Sequence, residues 1–314
     1  MTSLEYKLNT GNTIPAIGLG TWQSPKGAVE AAVYSALAEA GVRHIDCAFA
    51  YGNEEEVGRG IAKAVATGKV KREDIFITTK VFATYHNRVE ESLNLSLKNL
   101  GLDYVDLLLM HWPVGLNPNG NHPLVPTRPD GSRDLDPSFS VLNTWKQFEH
   151  VYKNTNKVKA VGVSNFSVPY LEDLLKGVEV VPAANQIENH PLLPQLEIVD
   201  FCKQKGILIE AYSPFGSTGG PLFQNKTVLD LAEKYKTTPS SILVSYHTSS
   251  GRVVLPKTTT PSRIVENSKV VELAPEEIKA LEEVHVKEGK KRYAAPPWGV
   301  DLKFPDWNAA KPKA

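Results

Sequence analysis

Asp46, Lys80, His111 and Lys257 say most about chemistry in this sequence, because each stands at or just past the end of a short β-type run. Other such runs end in Thr21 and Trp22, Ser164 and Asn165, Gln186, and Tyr212 and Ser213, while Thr258, Thr259 and Thr260 follow Lys257. Singly, each has an ordinary reading: Asp46 as a helix cap, Lys80 as a solvated strand end, His111 as a satisfied loop histidine, Lys257 as a surface lysine. Eight run-ends that are all polar or aromatic point instead to one shared site. A metal site would use His44 and Asp46, which at two residues' separation share one face of a strand. No second His-x-His or bridging lysine accompanies them, so no metal is expected. Nucleophilic hydrolysis lacks a Gly-x-Ser-x-Gly elbow. Phosphate loops fail as well, since Gly18-Leu19-Gly20 has no third glycine at the right spacing and no Gly-Lys-Ser/Thr occurs. A dinucleotide, if bound, is held in another way.

The runs that must position these residues are Ala16–Leu19, Arg43–Ile45, Ile75–Thr79, Tyr104–Met110, Val158–Val163, Ala183–Ile187, Ile207–Ala211 and Arg252–Leu255. Between them lie stretches with helical periodicity, among them Val29–Ala40, Glu54–Val65, Val89–Leu100, Val141–Lys153, Leu196–Gln204 and Thr227–Tyr235. Eight strands buried on both faces and alternating with helices predict an α/β fold, a (β/α)8 TIM barrel, with chemistry at the carboxyl ends of its strands. Asn53, followed at the third position by Glu56, reads as a helix start, and Pro261 and Pro275 as first helical residues. Residues 1–15 carry the alternation of a β-hairpin that caps the barrel's bottom. Two connections, Trp112–Ser140 and Ser213–Asn225, are too long to be simple links and so are expected to build a binding wall. No linker divides the chain, which reads as one domain over 1–314 with an irregular C-terminal tail from 286. The aromatics of that tail suit either a cover for a pocket or a loosely packed end.

Composition narrows the partners. The 314 residues carry 35 basic and 35 acidic side chains, and neutrality without a Lys/Arg run removes the footprint that nucleic acid or an anionic membrane requires. Two cysteines and a polar start, Met1-Thr2-Ser3-Leu4-Glu5, read as a reduced, cytoplasmic protein. Sequons at Asn94, Asn165 and Asn225 carry no weight without a secretory signal.

Four stretches resemble the aldo-keto reductase superfamily. Gly18-Leu19-Gly20-Thr21-Trp22 and Arg43 through Glu54 match its opening and first signature, Gly162 through Phe166 with Gln186 through Pro191 its middle, and Leu255 through Asn267 its cofactor-phosphate signature. The resemblance implies a catalytic group of Asp46, Tyr51, Lys80 and His111. Tyr51 is then the proton donor, with a phenol pKa of about 10 that the Lys80 cation should lower. Asp46 holds Lys80, and His111 orients or polarises the carbonyl oxygen. The cofactor implied is NADPH rather than NADH. Thr21, Trp22 and Asp46 line its site, Tyr212 gives the nicotinamide an aromatic face, and Ser164, Asn165 and Gln186 meet its carboxamide. Ser213, Phe215 and Ser217 close over the pyrophosphate on a glycine-hinged loop, which suits slow cofactor release as the limiting step. Lys257, Thr258, Thr259, Thr260 and Arg263 take the 2′-phosphate, while Glu266 and Asn267 read adenine. The family precedent also suggests a monomer.

Two positions depart from common family patterns: Phe82, where a Trp often follows the catalytic lysine, and Tyr246-His247, before the last strand. Phe82, expected beside Trp22, Trp112 and Tyr85, should reshape a substrate pocket formed with Trp22, Tyr51, His111 and Trp112. The loop after His111-Trp112-Pro113 resembles that of members reducing short polyol-forming carbonyls. The expected reaction is therefore reduction of glyceraldehyde, dihydroxyacetone or an aldose, reversible as polyol or glycerol oxidation. A non-catalytic cofactor-binding module on the same fold is the alternative, and the intact quartet argues against it. A phosphate-metabolising barrel isomerase would need glycines where Lys257-Thr258-Thr259-Thr260 stands.

Overall fold

A computed structural model describes residues 4–217 and 219–307, so the terminal Lys311–Ala314 lies outside the described residues. The chain opens with an antiparallel hairpin of β1 (Glu5–Lys7) and β2 (Thr13–Pro15). Its turn needs Gly11 at φ 90°, a conformation that side chains resist. Eight strands follow: β3 (Gly18–Gly20), β4 (His44–Asp46), β5 (Phe76–Val81), β6 (Leu107–Met110), β7 (Val161–Ser164), β8 (Ala184–Glu188), β9 (Leu208–Tyr212) and β10 (Val253–Leu255). They pair in parallel in chain order, and β10 meets β3 through bridges from Val254 to Ile17 and from Lys257 to Gly20. The result is the (β/α)8 barrel that the eight runs predict. β6 and β7 begin at Leu107 and Val161, inside the apolar runs that start at Tyr104 and Val158. Ahead of both strands, a single bridge joins Val105 to Val158.

The outer layer comprises α1 (Val29–Ala38), α2 (Glu54–Ala66), α3 (Val89–Leu100), α4 (Val141–Asn154), α5 (Val168–Leu175), α6 (Leu196–Gln204), α7 (Lys226–Tyr235), α8 (Pro239–Thr248) and α9 (Pro261–Asn267). Helices α10 (Pro275–Glu282) and α11 (Val284–Glu288) follow, and irregular chain begins after Glu288. Pro261 and Pro275 do open α9 and α10. Asn53 precedes α2 but does not cap it. Its Nδ2 donates to the Thr21 carbonyl at 2.9 Å, and Glu56 accepts from the amides of Gly27 and Val29 at the start of α1. The motif therefore ties α2 to the preceding βα unit.

Strand alternation sorts the barrel residues into two sets. Ile45, Ile77, Leu108, Met110, Val161 and Val163 join the core between barrel and helices. Phe76, Leu107, Leu109, Ala184, Val253 and Leu255 form a separate cluster with Leu8 and Ile14 of the hairpin. That cluster closes the bottom of the barrel, as the hairpin pattern predicts. Two residues further along the same faces, the side chains turn polar: Thr78 and then Lys80 on β5, His111 beyond Leu109, Gln186 beyond Ala184, Glu210 and then Tyr212 beyond Leu208. An apolar plug below thus leaves a polar layer above, and register alone delivers it there.

Candidate active site

Lys80 is the centre of that layer. Its Nζ is fully buried and donates to Asp46 Oδ1 at 2.7 Å, the Cys47 carbonyl at 2.8 Å and Tyr51 Oη at 3.2 Å. An ammonium has three donors, and all three are used. Burial alone would depress the Lys80 pKa, but the charge and hydrogen bond of Asp46 and the neighbouring Tyr51 and Cys47 together outweigh it and hold the group above the ordinary lysine range. Tyr51 ends a 3-10 turn, Phe49–Tyr51, just past β4, and Gly52 stops that turn in the left-handed conformation at φ 65°. The phenol is therefore placed by the first residues after the strand that carries Asp46.

Burial pushes the Tyr51 phenol up to about 12, with the Lys80 cation pulling the other way. This corrects the expected net lowering: desolvation wins over the lysine, and the phenol stays protonated throughout the neutral range. His111 lies beside it, with ring centroids 5.7 Å apart in an edge arrangement. Burial, and then the Lys80 charge, hold its imidazole well below the usual histidine value, so it is neutral. Nδ1 of His111 is buried without a hydrogen-bond partner among the described residues. A protonated phenol, a cation behind it and a neutral imidazole beside it can together stabilise and protonate an oxyanion.

Beneath them sits Glu210, which reasoning from sequence missed. Gln186 Nε2 donates both to Asp46 Oδ1 at 2.9 Å and to Glu210 Oε2 at 2.8 Å, and burial pushes Glu210 up to about 7. The signal was a lone acid inside the apolar run Ile207–Ala211. His44, the other half of the notional metal pair, bonds Thr78 Oγ1 through Nε2 at 3.0 Å.

Most of the other expected site residues do gather around this rim. Asn165, at φ 64°, donates to the His111 carbonyl and to Ser164 Oγ, while Tyr212 Oη donates to Asn165 Oδ1 at 2.8 Å. Ser164 Oγ donates to the Gln186 carbonyl, and Thr21 Oγ1 to the Asp46 carbonyl. These groups largely satisfy one another and fix the rim. Lys257 and Arg263 are exposed and have no carboxylate partner among the described residues, while Thr258 Oγ1 accepts from the Thr260 amide. Thr259 is half-buried beside them. Asn267 is buried, and Glu266 accepts from Ser240 Oγ. Two free cations beside hydroxyls are a donor set suited to a phosphate. In the long loop after β9, Ser213 takes φ 53°, Phe215 packs on Phe223, and Ser217 is exposed.

The wall differs from expectation. Trp22 is 48% exposed and does not pack with Phe82. Tyr85 packs on Phe49 instead. Phe82 packs edge-on against His111 at 5.6 Å between ring centroids and meets Trp298 of the tail at 6.1 Å, and Trp298 also meets Trp112 at 5.4 Å. The tail is thus a packed cover rather than a loose end. Glu188 anchors it by accepting from the Tyr293 and Ala294 amides at 2.8 and 2.7 Å, and Arg292 pairs with Asp306 at 2.7 Å. Tyr246 and His247 are buried in α8, where the Arg252 guanidinium lies over the Tyr246 ring.

Comparison with known proteins agrees with this geometry. The sequence profile described as the Aldo/keto reductase family matches residues 16–286. The chain belongs to that family. It is 54% identical over 310 residues to the D-galacturonate reductase of Hypocrea jecorina, covering 98% of this chain and 99% of that one. It is 48% identical to the glycerol 2-dehydrogenase (NADP(+)) of Saccharomyces cerevisiae, covering 93% and 94%. The aldose reductase structure from Schistosoma japonicum aligns with a TM-score of 0.87 at 37% identity, covering 94% and 95%. The chain is accordingly an oxidoreductase of a family that uses nicotinamide cofactors and acts on carbonyl groups. Among the described residues no helix is long and apolar enough to cross a membrane.

Proposed function

We propose that this aldo/keto reductase reduces small polyhydroxylated aldehydes or ketones with NADPH, with glyceraldehyde, dihydroxyacetone and aldoses as the candidate substrates, and runs in reverse as polyol oxidation. The observation that carries the reading is the fully engaged Lys80 ammonium touching both Asp46 and the Tyr51 hydroxyl beside a neutral His111. When bound, NADPH supplies the hydride. Lys257 and Arg263 would hold its 2′-phosphate through paired charge, and the Tyr212 ring, at the end of β9, would flank the nicotinamide.

Tyr51 gives its proton to the carbonyl oxygen as negative charge develops there, and Lys80 stabilises the phenolate left behind. Asp46 keeps Lys80 charged and in place. His111, being neutral, offers an N–H to the same oxygen without competing as a second acid. The names of the relatives support a hydroxy-carbonyl substrate, since they include glycerol 2-dehydrogenase, D/L-glyceraldehyde reductase and D-galacturonate reductase. The test is consumption of NADPH and of NADH by the purified protein with DL-glyceraldehyde, dihydroxyacetone, a pentose and an aromatic aldehyde. Turnover of the hydroxy-carbonyls with a preference for NADPH is expected. Tight NADPH binding with no turnover on any of them would favour the binding-module alternative.

A further inference from the structure

Gln186 links opposite walls of the barrel. Its strand, β8, and the Asp46 strand, β4, are separated by β5, β6 and β7 on one side and by β3, β10 and β9 on the other. Gln186 Nε2 reaches across that interior to Asp46 Oδ1 at 2.9 Å, and its second N–H goes to Glu210 Oε2 at 2.8 Å. Glu210 is the register neighbour of Gln186 on β9, and its side chain is fully buried. Asp46 is the ion-pair partner of Lys80 and can only accept, so the Gln186 atom facing it must be the amide nitrogen. One bond would leave the planar amide free to turn about its last torsion. Two bonds from one nitrogen fix the plane, and with it the direction of Oε1.

Of the three residues expected to meet the nicotinamide carboxamide, two are already engaged within the protein. Ser164 Oγ donates to the Gln186 carbonyl and accepts one Asn165 N–H. Asn165 gives its other N–H to the His111 carbonyl, and its Oδ1 accepts from Tyr212 Oη. Gln186 Oε1 has no hydrogen-bond partner among the described residues and, unlike Glu210 Oε1, is not sealed from solvent. A free acceptor held in one direction suits the N–H of a carboxamide.

We propose that Glu210 is a positioning residue for the cofactor: by holding the second N–H of Gln186, it aims Oε1 at the carboxamide of the bound nicotinamide. This rests on the NADPH-dependent reading above and adds to it a residue that touches neither substrate nor cofactor. Because the same amide also holds Asp46, the ring that gives hydride and the ion pair behind the proton donor are set from one point. Burial pushes Glu210 up to about 7, and Oε2 can accept in either protonation state, so the aim holds across the neutral range.

The experiment measures, by fluorescence titration, the Kd of NADP+ and of its acetylpyridine analogue, in which a methyl ketone replaces the carboxamide and leaves no N–H to donate. The native protein should bind NADP+ roughly tenfold more tightly than the analogue, the scale of one hydrogen bond to an otherwise unpaired acceptor. In Glu210→Leu that ratio should fall to about threefold or less. In Glu210→Gln, whose side-chain oxygen still accepts from Gln186, it should stay near the native value, which separates aim from charge. Glu210→Val is the second apolar variant if the first folds poorly. Single-turnover oxidation of NADPH by DL-glyceraldehyde should slow in the apolar variant and recover in Glu210→Gln. Equal native affinities, a ratio that survives the apolar substitution, or no rescue in Glu210→Gln would overturn the positioning role, while NADP+ binding leaves the reductase reading standing. Failure of the native protein to bind NADP+ at all would overturn both.

Discussion

The polar layer inside the barrel and the ring of loops around its mouth solve opposite problems. Inside, Lys80, Asp46, Gln186 and Glu210 are buried and bonded to one another, so each is fixed by its neighbours. At the mouth, Lys257 and Arg263 carry charge with no carboxylate partner among the described residues. Groups that do chemistry must not move, and groups that recognise must be free to meet a ligand. The difference locates catalysis on strand register and recognition on loops.

The strongest way to break this division is Lys80→Met. It should reduce kcat by roughly 10³-fold, within the range of general acid-base catalysis, and lower stability by roughly 3–5 kcal/mol because Asp46 is left buried without its cation. Steady-state kinetics and denaturant unfolding check both, and a loss of activity with full stability would show that the layer is not mutually supported. At the mouth, Lys257→Met should raise the Kd for NADPH about tenfold or more, the worth of one charged hydrogen bond, without lowering stability. The Kd for NADH should move far less. Parallel weakening of both cofactors would place Lys257 away from the 2′-phosphate.

A smaller effect sharpens the interior side. The Glu210 carboxyl, pushed up to about 7 from an ordinary 4.5, binds its proton more tightly in the folded protein. Its contribution to stability is therefore whole below pH 4.5 and is lost as the pH rises through about 7. Against Glu210→Gln, the native protein should lose Tm between pH 5 and 8, by roughly 2–4 °C for each kcal/mol involved. Two parallel Tm curves would mean that Glu210 does not titrate in that window.

What the sequence discloses follows the same division. Asp46, Lys80 and His111 each follow directly on a β-type run, so their shared rim is legible from the repeat of eight such runs. Glu210 was not, because one acid within Ile207–Ala211 changes nothing in a pattern that is apolar on both faces. Helix α8 was also missed: Ser240 through Thr248 are buried on every side, leaving no polar stripe to count. Helix α5 is only 8 residues long, too short for a periodic signal. The tail was ambiguous for another reason. Its cover over Phe82 depends on Glu188, far away in the chain, accepting two backbone amides, and no local pattern announces such a contact.

The central claim is that Tyr51 acts as the acid and has no part in holding the cofactor. Its direct test pairs NADPH-dependent turnover of DL-glyceraldehyde with fluorescence titration of NADPH, in the native protein and in Tyr51→Phe. The account predicts that kcat falls by roughly 10²–10⁴-fold while the NADPH Kd stays within about threefold. Near-native turnover in the variant, or a loss of cofactor affinity matching the loss of rate, would contradict it.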